Sequence, residues 1–429
     1  MLDAAKFPGR GRVAVVRTTP ETVIEDYGRV MRLAGYEDAL PRDHETILKI
    51  NISWQTWYPA CSSAPWQIDG VINTLLEDGY DGGSLMAAHN RTVVVDAYVG
   101  EVNNGHKQVV VDKYGLRNVH LYEPWVEWVV YEPKTEMLVL NDVYPDGIKL
   151  PKLFFDRNII QLPTVKTHVF TTITGAMKNA FGGLLSERRH WTHSVIHDTV
   201  VDLLAIQQEI HSGLFAAMDG TFAGDGPGPR AMRWHEKDVL LASADQVAID
   251  SVSARVQGFD PMSLRFIRLG HERGLGVGDP REIEVVGDTD VLEESWGFVR
   301  EDTFASRGQY MIYHGPLKPF EHMLLQTPLV PWSYAASRLY HDVYWYPMVG
   351  RERVDRALET KWGQLFTEYV GGEVVREESQ VLKVAAAAGI GALALGAAAA
   401  LHHRHRDDKA DDESSGEDGE DTGGRLPGE

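Results

Sequence analysis

The chain has 429 residues, a formal net charge of −20, 43% hydrophobic residues and a single cysteine, Cys61. That length suits two or three domains, and that apolar content suits a packed core. The acidic balance argues against a broad basic face for nucleic acid, and one cysteine excludes an internal disulfide, a cysteine-ligated zinc site and an iron–sulfur cluster held by this chain alone.

The opening segment MLDAAKFPGRGRVAVV lacks the apolar stretch of a signal peptide, so the body is expected in the cytoplasm. Val13–Val16 reads as a first strand and Thr22–Leu33 as a helix. Thr46–Ile52 is β-branched and alternating, hence a second strand. Pro65 to Gly79 reads as a helix with Ile68, Val71, Ile72, Leu75 and Leu76 on one face. Gly83–Ala88 and Val93–Tyr98 are strand-like, Lys107–Tyr114 is helical, and His120–Tyr122 and Val126–Tyr131 are strand-like again. Asn158–Leu162 is an apolar strand ending at Pro163, and His193–His211 is an amphipathic helix closed by Gly213. Leu214–Met218 and Val239–Ala242 are strands, and Asp245–Gln257 is a helix closed by Gly258. Strands alternating with helices predict an α/β fold with a mostly parallel sheet and flanking helices.

The character changes after about Gly287. Phe320–Met348 is rich in Trp, Tyr, Pro and Leu, and Arg351–Tyr369 has the spacing of a charged amphipathic helix. The expected division is an α/β core over residues 1–287, an appended aromatic-rich, mostly helical segment over 288–380, a hydrophobic helix over 381–401 and a disordered tail over 402–429. Val384–Leu401 is uncharged and just long enough to span a bilayer, so a membrane anchor is one expectation for it. The tail holds ten acidic residues against four basic ones and is disordered by composition.

The chemistry concentrates in Pro163–Gly183, PTVKTHVFTTITGAMKNAFGG. A polar loop at the carboxyl end of a parallel strand is where open α/β sheets bind ligands. A helix beginning after Gly175 offers free N–H groups to an anion, with Thr174 as its cap. Lys166 and Lys178 add positive charge, Asn179 adds an amide, and His168 is the candidate general acid/base. Lys49 and Asn51 lie two apart on the second strand and point to one side of it. Asp219, at a strand end, is a candidate for holding a metal or orienting His168, with Asp225 in the same glycine-rich stretch, Asp219–Pro229. Asp250 on the next helix is placed to reach the same cleft. His190, His193 and His197, with Asp198 and Asp202, share one face if a helix already runs from His190, and His193 and His197 are the candidate ligands for a divalent metal.

In chain order, VAVV, LKINI, the helix ending LLEDGY, DRNIIQLPTVKTHVFTTITGAMKNAFGGL, MDG with GDGPGP, LLASADQVAIDSVSARVQGFDP and LGHERGLGVGD resemble the family called domain of unknown function 362, from Arg10 to about Gly287. The resemblance implies an α/β fold but no firmly assigned reaction. By position it carries over Lys49, Asn51, Lys166, His168, Thr174, Lys178, Asn179, Asp219 and Asp250. Many relatives carry a ferredoxin-like iron–sulfur segment, which this chain lacks. The leading expectation is a pocket of enzyme type for an anionic, phosphate- or carboxylate-bearing, or metal-bound small molecule. The alternatives are a redox accessory that docks a separate iron–sulfur protein and a noncatalytic, membrane-tethered binding module.

Overall fold

A computed structural model describes residues 7–92, 94–325, 335 and 337–375. Its strands are β1 (Arg12–Arg17), β2 (Thr46–Ile50), β3 (Leu85–His89), β4 (Arg117–His120), β5 (Trp128–Tyr131), β6 (Ile148–Pro151), β7 (Asn158–Leu162), β8 (Thr164–His168), β9 (Thr172–Ile173), β10 (Gly213–Asp225), β11 (Arg233–Ser243) and β12 (Glu284–Gly287). The main sheet runs β12-β1-β11-β10-β7-β2-β3-β4, with β8 paired to β10 and β9 to β8. Along that path only β11 opposes its neighbours; the remaining pairs are parallel.

This is the mixed α/β architecture with a mostly parallel sheet that the alternating pattern predicts. Strands β2 and β7 are buried at every residue because helices cover both faces. Alternate residues go to opposite layers. Leu48, Ile50, Ile160 and Leu162 pack with Val30, Met31, Ile68 and Ile72. Ile47 and Ile159 pack with Val200, Leu203 and Leu204 on the other side.

Local competition explains the departures from the sequence pattern. The strand expected over Val93–Tyr98 gives way, over its described residues, to the start of helix Ala97–Asn103, because the Asp96 carboxylate accepts from the N–H groups of Tyr98 and Val99, both at 3.1 Å. The glycine-rich stretch after Asp219 is not a loose turn, since β10 continues buried to Asp225. Its glycines answer close approach: a Cβ at Gly220 would lie 2.8 Å from the Val239 carbonyl oxygen, and one at Gly224 2.5 Å from Met232 Sδ. The α-helix expected from His193 spans Ile196–Ile210, with Glu187–Val195 in 3-10 turns before it. The single helix expected over Arg351–Tyr369 is two, Arg351–Glu359 and Lys361–Tyr369, the second capped by Thr360, whose hydroxyl accepts from Gly363 N at 3.1 Å.

The chain beyond Gly287 folds back over the sheet assembly at several places. Phe366 stacks on Trp57 with ring centres 4.1 Å apart, and Trp362 lies 5.2 Å from Trp66. Helix Phe304–Tyr313 meets the turn after β8, with Tyr310 and Tyr313 5.9 and 5.8 Å from Phe170. Among the described residues no helix is long and apolar enough to cross a membrane. Val384–Leu401 and the acidic tail lie outside the described residues.

Candidate functional site

The segment Pro163–Gly183 forms β8, turns back as β9, and enters two short helical turns, Ala176–Asn179 and Phe181–Leu184. The helix start expected to receive an outside anion is filled from within. The Asp250 carboxylate accepts from Ala176 N at 2.6 Å and Met177 N at 3.1 Å. Burial pushes its pKa up to about 7, and these two amides pull against that rise. Thr174 does not cap; its hydroxyl donates to the Thr164 and Lys166 carbonyls, both at 3.2 Å.

Several predicted ligand groups are engaged in holding loops. The Lys166 ammonium donates to Thr164 Oγ1 at 2.6 Å, the Cys61 carbonyl at 2.8 Å and the Ala60 carbonyl at 3.0 Å. Asn51 stands one residue past β2, and its amide donates to the same Cys61 carbonyl at 3.2 Å. Asn179 donates to the Lys49 carbonyl and to Gln161 Oε1, both at 2.9 Å, which ties the motif to β2 and β7. The Cys61 thiol is buried and pushed up to about 11 by that burial, which keeps it an inert thiol at neutral pH.

A different set remains available. Lys49, buried on β2, donates only to the carbonyl of Ile50 at 2.6 Å among the described residues. The Lys178 ammonium lies 5.7 Å from the Phe181 ring centre and makes no hydrogen bond or ion pair among the described residues. Burial lowers each of these lysines to about 7, helped at Lys49 by Arg189 and at Lys178 by Lys166 and Arg189. His168 is held well below its ordinary range by burial and then by Lys178, His193, Lys166 and His197. The charged neighbours acting on these three groups are all basic, inside a chain of net charge −20.

The tautomers are legible from partners. His168 Nδ1 accepts from Phe170 N at 3.1 Å and Thr171 N at 3.3 Å, so the neutral ring carries its proton on Nε2. That makes His168 a hydrogen-bond donor; the general-base role needs a lone pair that the two amides already occupy. His193 Nδ1 donates to the His190 carbonyl at 3.0 Å, leaving Nε2 as an acceptor. Its ring sits among Phe170, Phe181 and Tyr313, and burial lowers it to about 4.

Asp219 does not take the predicted part. Its carboxylate is 2% exposed and accepts from Tyr27 Oη at 2.8 Å, Trp66 Nε1 at 2.9 Å, Thr221 N at 3.1 Å and Thr221 Oγ1 at 2.7 Å. None of these partners is His168, and together they satisfy both oxygens. Asp225 is likewise committed, to Arg233 at 2.8 Å and to Val299 N at 2.7 Å. The one-faced histidine helix is not formed, because the α-helix begins only at Ile196. The His197 ring packs on Phe266 at 5.8 Å, Asp198 pairs with Arg265 at 2.6 Å, and Asp202 accepts from the N–H groups of Leu138, Val139 and Leu140. Among the described residues, neither His193 nor His197 belongs to a group of three converging metal donors.

A converging group that sequence reasoning missed does exist: His89, Glu101 and His120, with donor atoms all within 4.8 Å of one another. Its sequence signal is faint: His89 follows the strand-like run Gly83–Ala88, and His120 opens the run His120–Tyr122. Burial lowers His89, with Glu101 opposing and Lys49 among the charges assisting. The group therefore adjoins the lysine pocket. Next along the chain, Asn90 Nδ2 donates to the Leu185 carbonyl at 3.2 Å, and Arg189 donates to the Arg91 carbonyl.

The family model described as domain of unknown function (DUF362) matches residues 46–255. That span, just under half of the chain, is similar to the DUF362 family. The match covers β2 to β11 and every candidate ligand group described above except those that helix Phe304–Tyr313 adds. The chain is also 26% identical over 151 residues to a thylakoid-associated protein of Synechocystis sp., an alignment covering 32% of this chain and 47% of that protein. It therefore spans about half the length of the curated relative it matches.

Proposed function

We propose that this protein binds an anionic small molecule, bearing phosphate or carboxylate, between Lys49, Lys178 and the Nε2–H of His168. The observation that carries this reading is a partly buried lysine, Lys178, with no hydrogen bond or ion pair among the described residues and only basic charged neighbours. Burying an ammonium without an anion is costly, and such a group is kept where a ligand supplies the missing charge. The place suits the role, at the carboxyl ends of parallel strands in an open α/β sheet. His168, neutral and donating, adds direction without further repulsion. Helix Phe304–Tyr313 and Phe170 close one side with aromatic rings.

The test is calorimetric titration of the full chain with inorganic phosphate and with a dicarboxylate. Binding of one class, weakened at least tenfold in Lys178→Met, supports the reading. No binding at millimolar ligand, or equal binding by the variant, ends it.

A second reading, association with a membrane, is favoured by the printed name of the cyanobacterial relative. Sedimentation with vesicles of anionic and neutral lipid decides it. Equal sedimentation of the full chain and a form ending at Gln380 removes Val384–Leu401 as the anchor.

A further inference from the structure

Strands β3 and β4 are adjacent and parallel, and their last residues, His89 and His120, are register partners. Two imidazoles are thus set side by side at the carboxyl edge of the sheet. The crossover between these strands includes helix Ala97–Asn103, which brings Glu101 over that edge. The helix is fixed in place. Asp96 caps its start, Gly100 approaches so closely that a Cβ would lie 2.7 Å from Ile52 Cγ2, and Asn103 and Asn104 donate to the carbonyls of Gln55 and Trp54 at 3.0 and 3.2 Å.

One oxygen, Glu101 Oε2, is the focus of three nitrogens: His89 Nε2 at 2.9 Å, His120 Nε2 at 2.9 Å and Asn118 Nδ2 at 2.6 Å. A carboxylate oxygen has two lone pairs in its plane, so three donors crowd it. His89 Nδ1 is buried and without a hydrogen-bond partner, so nothing on that side fixes the ring's tautomer, and Nε2 is free to surrender its proton. The hydroxyl of Tyr122, whose ring stacks on His120 at 5.7 Å, is also buried and without a partner. The surroundings are otherwise shielded: His89 is 1% exposed and Glu101 6%, whereas the His120 side chain is 17% exposed and leaves a way in.

The geometry points to a binding site for one divalent first-row transition cation, held by His89 Nε2, His120 Nε2 and Glu101 Oε2. Two imidazoles with one carboxylate suit Zn²⁺, Co²⁺, Fe²⁺ or Mn²⁺ better than Mg²⁺ or Ca²⁺, which prefer oxygen ligands. The two N···O separations of 2.9 Å match the right-angle edge of an octahedral site, about 3.0 Å for bonds near 2.1 Å, more closely than a tetrahedral edge of about 3.4 Å. Three protein donors leave the remaining positions to solvent or ligand. Binding releases the imidazole protons and replaces the crowded hydrogen bonds by metal bonds. Asn118, still hydrogen-bonded to Glu101, is a positioning residue for the carboxylate.

The experiment is titration of the untagged full chain with Co²⁺, followed by its ligand-field absorption and by competition with Zn²⁺. The reference protein carries His402→Ala, His403→Ala and His405→Ala, because the tail histidines are themselves ligands. One equivalent of Co²⁺ is expected. His120→Ala should abolish it, Glu101→Gln should weaken it about ten- to hundredfold, and Lys178→Met should leave it unchanged. Circular dichroism of each variant verifies folding. Should both site variants unfold, X-ray absorption of the zinc-loaded reference decides, with two imidazole nitrogens and a carboxylate oxygen expected. No bound Co²⁺ or Zn²⁺ at millimolar metal, or the same affinity in folded Glu101→Gln and His120→Ala, overturns the site. The Lys178→Met comparison keeps this outcome separate from the fate of the anion pocket.

Discussion

Asp219 is a buried charged group and Lys178 a partly buried one, and the fold treats them in opposite ways. Asp219 is surrounded by donors from Tyr27, Trp66 and Thr221 until neither oxygen is free. Lys178 faces an aromatic ring and other cations. A saturated buried charge is a structural joint, whereas an unsaturated one is an instability that a ligand relieves. The more conspicuous residue of the two, an aspartate at a strand end in a glycine-rich run, turns out to be the joint.

Four measurements break or sharpen that contrast. The largest effect is expected at the joint: Asp219→Ala strands two hydroxyls, an indole N–H and an amide, and should destabilise the chain by about 3 kcal/mol or more in chemical denaturation. At the pocket the signs should reverse. Lys178→Met should weaken phosphate or carboxylate binding about ten- to hundredfold, yet stabilise the free chain by ~1–3 kcal/mol. Equal destabilisation by both substitutions would erase the distinction.

The pH dependence follows from the same lysine. Its folded pKa, about 7, lies below its ordinary 10.5, so between those values the unfolded chain holds a proton the folded chain has shed. Stability therefore rises with pH across that window on account of Lys178, and its penalty is full below about pH 7. The stabilisation conferred by Lys178→Met should accordingly shrink as pH rises from 7 towards 10. Anion affinity should fall over the same range, by up to about tenfold per pH unit above 7 for each of the Lys49 and Lys178 ammonium groups lost. The smallest effect concerns Cys61, which should be labelled by a thiol reagent at pH 8 only on unfolding.

The parallel sheet was legible because TILKI and NIIQL are short, apolar-rich runs that stand between helical periods. Within the motif the sequence displayed the lysines and His168 but not which of them would be free. Lys166 and Lys178 look alike on paper; only the Ala60–Cys61 carbonyls, brought in from another loop, separate a tethered lysine from an open one. Asp250 reaches the helix start from 74 residues away, a distance no local pattern encodes. The His89–Glu101–His120 group was hidden twice over. Its histidines meet through strand register, and its glutamate rides on a helix that Val93–Tyr98, read by β-propensity, disguises.

Gly175 carries a consequence for descent. A Cβ there would stand 2.1 Å from Asp250 Oδ1, and that carboxylate cannot retreat while two amides hold it. The two positions should therefore co-vary across the family, glycine at 175 wherever 250 is acidic. A lineage that lost the acid would free position 175 to take a side chain and would open the helix start to an external anion, so one exchange at position 250 offers a route to a second ligand specificity.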